Sequence, residues 1–171
     1  MDTAQRGMGV DWPTSLELIK RSVAAAKTCD GLVFSGSGTD QLDPAQARNL
    51  DDVIRAYEEQ IEAIEAVGGR IVLMASRALA RVARSPDDYE KVYGRILQGV
   101  REPVIIHWLG DMFDPALAGY WGAPDLDAAM TTAVEIINDH ASKVDGVKIS
   151  LLDKDKEIAM RRRLSQGVLM Y

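Results

Sequence analysis

The sequence holds one cysteine, two histidines, two phenylalanines and no long hydrophobic run. A lone Cys29 excludes an intramolecular disulfide and fits a reducing compartment. With only two histidines beside it, a structural zinc centre lacks ligands. Apolar runs such as Val104-Ile105-Ile106 fall far below the roughly 20 residues of a membrane-crossing helix. The opening Met1-Asp2-Thr3-Ala4-Gln5-Arg6 has no apolar stretch of the secretory type. Basic excess is missing too: 20 Lys+Arg stand against 26 Asp+Glu, a net charge of −6. A partner with a phosphate backbone calls for the opposite sign. The absences together lead us to expect a cytoplasmic protein with neither a nucleic-acid nor a membrane partner.

What is present is a good supply of core. Of the 171 residues, 47% are hydrophobic and 27% charged, so disorder is excluded and one domain over 1–171 is expected. Helical and strand-like segments alternate. Thr14 to Lys27 has Leu16, Ile19 and Val23 at helical spacing behind a Thr14/Glu17 capping box. Gly31 to Ser35 reads as a strand closed by the turn Gly36-Ser37-Gly38, which lacks the third glycine of a dinucleotide fingerprint. Asn49 caps a helix running to Ala66, and Gly68-Gly69 stops it. Arg70 to Ser76 is a strand, Ser85-Pro86-Asp87-Asp88 starts a helix, and Pro103 to Leu109 is a strand. A helix from Pro124-Asp125 through Ala141, a strand from Asp145 to Ser150, a helix from Asp155 to Leu164 and a strand from Gly167 to Tyr171 complete the series. The strands are apolar on both faces, as parallel strands between helices must be. The pattern is therefore α/β, either a doubly wound sheet or a (β/α) barrel. In both, loops that follow strands carry the site.

Candidate chemistry gathers on the later strands. Strand alternation puts Gly146, Lys148 and Ser150 on one face, with room for a ligand beside the small residues. A lysine desolvated there can attack a carbonyl, whereas one at a strand end reaches solvent or an ion pair. His107 is a candidate acid–base group on the preceding strand, or a hydrogen-bonded core histidine. Arg77 ends the strand before that, where it can hold an anion or form a surface ion pair. Asp111 and Asp114 lie in the long Gly110–Ala123 loop and could bind a divalent ion, although Asp114-Pro115 is also a turn signal. His140 near a helix end, Arg161-Arg162-Arg163 and Cys29 read as solvated or structural residues.

These segments resemble the dihydrodipicolinate synthase / N-acetylneuraminate lyase family of class I aldolase-type barrels. More narrowly they resemble a bacterial branch described as dihydrodipicolinate synthase-like. Asp145-Gly146-Val147-Lys148-Ile149-Ser150 is similar to the family's Gly-x-Lys segment on barrel strand six, whose lysine forms a Schiff base with a keto acid. Pro103 to Trp108 is similar to its strand-five segment, with His107 where the family has a proton-relaying tyrosine. Phe34 to Gly38 is similar to its strand-three Ala-Gly-x-Gly turn. Asp2 to Gly7 falls at its carboxylate-binding turn, where Thr3 matches a hydroxyl and Ala4 replaces the second threonine. Met74 to Arg77 falls at its substrate-selective strand-four end.

The resemblance implies a TIM-barrel type fold. Because a closed barrel of this kind takes about 250 residues, 171 residues imply an incomplete one spanning about strands 2–7. It implies a lyase acting on a small keto acid or sugar acid without a cofactor or resident metal. Lys148 and His107 would be catalytic, and Thr3, Arg77, Ser150 and Asp111 would bind substrate. Two rivals stay open: a metal-assisted barrel enzyme using His107, Asp111 and Asp114, and a non-catalytic fragment. Open sheet edges favour pairing with a second copy, so a homo-oligomer is expected.

Overall fold

The computed structural model describes residues 9–171. Helix α1 (Trp12–Lys27) opens on Asp11, whose side chain accepts the Thr14 N–H at 2.9 Å. The start thus lies earlier than the expected capping box, because Asp11 caps and Pro13 suits a first helical turn. Strand β1 (Phe34–Ser37) lies three residues later than expected. The chain is still closing the helix end there: Cys29 and Gly31 both donate to the Ala26 carbonyl, and Asp30 takes φ 51°. Gly36 and Ser37 are therefore strand, not turn.

Helix α2 (Leu50–Ala66) is capped by Asn49, which accepts the Asp52 N–H at 3.0 Å. It ends before Gly68, whose φ of +85° suits a residue without Cβ. After β2 (Arg70–Met74) comes a short helix that the pattern did not predict, α3 (Arg77–Val82), capped by Ser76. Helix α4 (Pro86–Gly99), β3 (Val104–Leu109), α5 (Leu126–Asp139), β4 (Val144–Ser150) and α6 (Lys154–Arg163) lie within two residues of expectation. Strand β5 is only Leu169–Met170.

The five strands form one sheet in chain order, β1-β2-β3-β4-β5, with every pairing parallel. A doubly wound sheet reverses its order at a switch point, and this sheet does not. Right-handed crossovers between successive neighbours put every connecting helix on the same face. Alternation along the strands shows it. Ile71, Leu73, Val104, Ile106, Trp108, Val144 and Val147 join the large helix-packed core. Val72, Met74 and Ile105 form a separate small cluster with Phe34 on the opposite face.

Candidate functional site

The face away from the helices carries the polar groups. The register sets Met74 beside His107, and His107 beside Lys148, in one row across β2, β3 and β4. Neighbouring strands stand about 4.8 Å apart, so side chains in such a row touch. His107 is only 4% exposed. Its Nδ1 lies 3.3 Å from the Met74 sulfur and its Nε2 lies 3.1 Å from Ser150 Oγ. A thioether only accepts, so the first contact puts the imidazole proton on Nδ1. Nε2 is then the acceptor, and the Ser150 hydroxyl donates to it. Ser150 sits one strand-alternation from Lys148, which is half-buried on the same face. Lys148, His107 and Ser150 are thus one constellation at the C-terminal ends of β3 and β4.

The expected open space over Gly146 is filled. A Cβ there would stand 2.7 Å from the Tyr171 ring and 2.8 Å from the Leu169 carbonyl. Gly146 is small because Leu169 and Tyr171 of the neighbouring last strand press against it. Tyr171 is tied down by its hydroxyl, which donates to Asp145 at 2.6 Å. That bond raises its phenol pKa, since the neutral form is the donor.

The loop after β3 is built as a cover. Asp114 is buried, and it accepts from Arg77 Nε at 2.8 Å and from the Ala116 N–H at 3.3 Å. Arg77 is thus an ion-pair partner, with its side chain still 40% exposed. Asp111 is exposed and lines a cleft of about 210 Å³ with Trp108, Tyr120 and Leu151. His107, Asp111 and Asp114 do not converge, and no group of three His, Cys, Asp or Glu with metal-site spacing occurs among the described residues. Thr3 lies outside the described residues. Among them, no helix is long and apolar enough to cross a membrane.

The family model described as "Protein of unknown function (DUF993)" matches residues 1–171. The chain belongs to the DUF993 family. Among solved structures it is similar to dihydrodipicolinate synthase from Oceanobacillus iheyensis, with a TM-score of 0.64 and 12% identity. The match covers 95% of this chain and 44% of the synthase, so the chain spans less than half of that protein's length. At this identity the likeness is one of fold. No curated protein matches the sequence.

One part of this family member's site has no counterpart in the motif reading. Ser76 caps α3 through Leu79 N–H at 2.9 Å, shares a 2.6 Å hydrogen bond with Thr39, and its own N–H donates to Tyr120 Oη at 3.0 Å. Tyr120 Oη meets Tyr93 Oη at 3.0 Å, and Tyr57 donates to the Met74 carbonyl at 2.5 Å. Burial and the neighbouring Tyr120 push the Tyr93 phenol well above its ordinary pKa, so it stays neutral. Trp121 sits at the centre, fully buried, with rings of Tyr93, Tyr120, Tyr89 and Trp108 within 6 Å. It adopts φ 71°, a strained conformation for an aromatic residue, between Gly119 and Gly122, both also at positive φ. This aromatic knot pins the loop after β3 over the end of β2. The only sequence signal was the Gly-Tyr-Trp-Gly run within the long loop.

Proposed function

We propose that this chain carries the Schiff-base half-site of an aldolase-type lyase acting on a small keto acid or sugar acid. The observation that carries the reading is the pairing of His107 with Lys148 on the helix-free face, with Ser150 on His107 Nε2. Lys148 Nζ, once deprotonated, attacks the substrate carbonyl carbon to give a carbinolamine. The carbinolamine hydroxyl takes a proton from solvent, relayed by His107 and Ser150, and leaves as one water, which gives the protonated imine. The imine draws the electron pair released when a carbon–carbon bond breaks next to it. A neutral His107 whose Nε2 accepts through Ser150 can take the substrate hydroxyl proton and later return it to carbon. Asp111, and Thr3 outside the described residues, are the proposed substrate-binding groups. Arg77 would act on the substrate only from within its pair with Asp114.

The sequential parallel order and the 44% coverage of a synthase support an incomplete TIM-type barrel over 1–171, of about strands 2–7. Strands β1 and β5 are its edges among the described residues, and edges of this kind seek a partner. Pairing of such an edge with a second copy is part of the proposal, as is a cytoplasmic setting for the lone thiol of Cys29. A metal-assisted mechanism finds no support in the placement of Asp111 and Asp114.

The test is borohydride reduction of the whole chain with pyruvate and a panel of larger keto acids, read by intact mass and peptide mapping. A reduced adduct on Lys148, absent in Lys148→Ala, is expected. His107→Gln should slow adduct formation by about 10²-fold or more. A panel that yields no adduct on Lys148, or yields the same adduct in Lys148→Ala, defeats the proposal.

A further inference from the structure

Most charged clefts on this surface are neutralised from within. At the N-terminal end of the sheet, Arg70 pairs with Glu102 at 2.7 Å and Arg101 with Glu65 at 3.3 Å, so two cations meet two carboxylates in one cleft. One cleft differs. It lies between the segment leading into α2 and the turn joining α3 to α4, and encloses about 390 Å³. Arg48, Arg81 and Arg84 line it against a single carboxylate, Asp88. Asp88 is already engaged, accepting the Arg84 N–H at 2.8 Å. Arg48 leans on Asp52 at 3.5 Å, a carboxylate that also holds Arg55. The guanidiniums of Arg81 and Arg84 have no ion pair or hydrogen bond among the described residues. In a chain of net charge −6, three arginines around one opening run against the average.

We propose that this cleft is an anion site for a phosphate-bearing small molecule. Guanidinium forks match the oxygen geometry of phosphate, and paired forks hold it more firmly than a diffuse positive surface does. Asp51 and Asp52 already occupy the first turn of α2, so the arginines, not the helix end, supply the attraction. Helices here start where strands end, so the cleft opens at the C-terminal end of the sheet, as the Lys148 constellation does. It is separate from that constellation and does not depend on Schiff-base chemistry.

The probe is pyrophosphate, with inorganic phosphate alongside, titrated into the whole chain at constant ionic strength. The readout is the backbone and arginine Nε–H signals by NMR. Saturable shifts centred on Arg81 and Arg84 are expected, with a Kd below about 1 mM. The double variant Arg81→Gln/Arg84→Gln should weaken binding at least about tenfold. Both side chains are exposed, so its fold should survive, as a circular dichroism spectrum can confirm. Arg95→Gln, at a cation outside the cleft, should bind like the unaltered chain. Linear, unsaturated shifts spread over the surface overturn the proposal. So does an unchanged Kd in the double variant, or an equal loss in Arg95→Gln.

Discussion

The two faces of the sheet are built from the same strands by opposite rules. The helix-covered face takes Ile71, Leu73, Val104, Ile106, Trp108 and Val147, and joins them to an aromatic knot around Trp121. The other face takes Gly36, Val72, Met74, Ile105, His107, Gly146 and Lys148, a mix of small, apolar and ionisable residues. The packed core is concentrated on the first face, and the proposed chemistry on the second. A face packed to high density cannot admit a ligand, whereas one with a short apolar cluster and a row of polar groups can.

Ile105 and Ile106 are adjacent, chemically identical and point opposite ways, so they give the sharpest contrast. Ile106→Ala should cost about 2–5 kcal/mol, since Ile106 is fully buried among helices that cannot collapse into the gap. Ile105→Ala should cost less than about half of that, because its cluster is small. Equal losses in denaturant unfolding would mean that the second face is sealed as firmly as the first in solution.

Gly146 probes the second face where the chain itself closes it. Gly146→Ala drives a methyl against Tyr171 and the Leu169 carbonyl, and should cost about 1–3 kcal/mol. Hydrogen exchange should show the loss first at Tyr171, whose N–H bonds the Val147 carbonyl. Unchanged protection there would show that β5 does not stay packed beside Gly146.

The loop bridging the faces is tested through Arg77. Arg77→Ala should cost about 1–2 kcal/mol, less than a fully buried pair, because the guanidinium is 40% exposed and stays partly hydrated. Limited proteolysis should then cut within residues 110–119 faster. A variant that loses substrate affinity while its loop stays protected would make Arg77 a direct substrate ligand.

The smallest effect belongs to the start of α1, far from both faces. Hydrogen bonds from Thr14 hold the Asp11 carboxyl below its ordinary pKa of 3.8. A depressed carboxylate contributes stability above its unfolded value, and that contribution disappears as pH falls through the folded value. Asp11→Ala should therefore lower helicity slightly at neutral pH, and the difference from the unaltered chain should vanish on acidification. A difference that persists in acid would show that the charge is not what caps the helix.

Much of the fold was legible along the chain because its signals are local. Asn49 and Asp125 cap helices whose inner faces repeat at helical spacing, and Gly68 ends one of them. Runs such as Val104 to Leu109 are long enough to read as buried strands. The errors came where two local signals competed. At 31–33 the chain leaving the end of α1 took residues that look like strand, and at Ser76 a serine read as a strand end turned out to cap α3. The candidate site was legible in part. Alternation put Lys148 and Ser150 on one face, but only the register of β3 against β4 sets His107 beside Lys148. Ser150 meeting His107 Nε2, Asp114 meeting Arg77, and Tyr171 filling the space over Gly146 all join residues distant along the chain.

By itself the sequence determined the α/β class, the succession of elements and which residue types can do chemistry. Those follow from periodicity, capping and charge, each set within a few residues. Only the tertiary structure decided between the doubly wound and the sequential sheet, which face each strand turns to the helices, and which polar groups meet. The reason is that pairing partners and crossover hand are collective properties of packing.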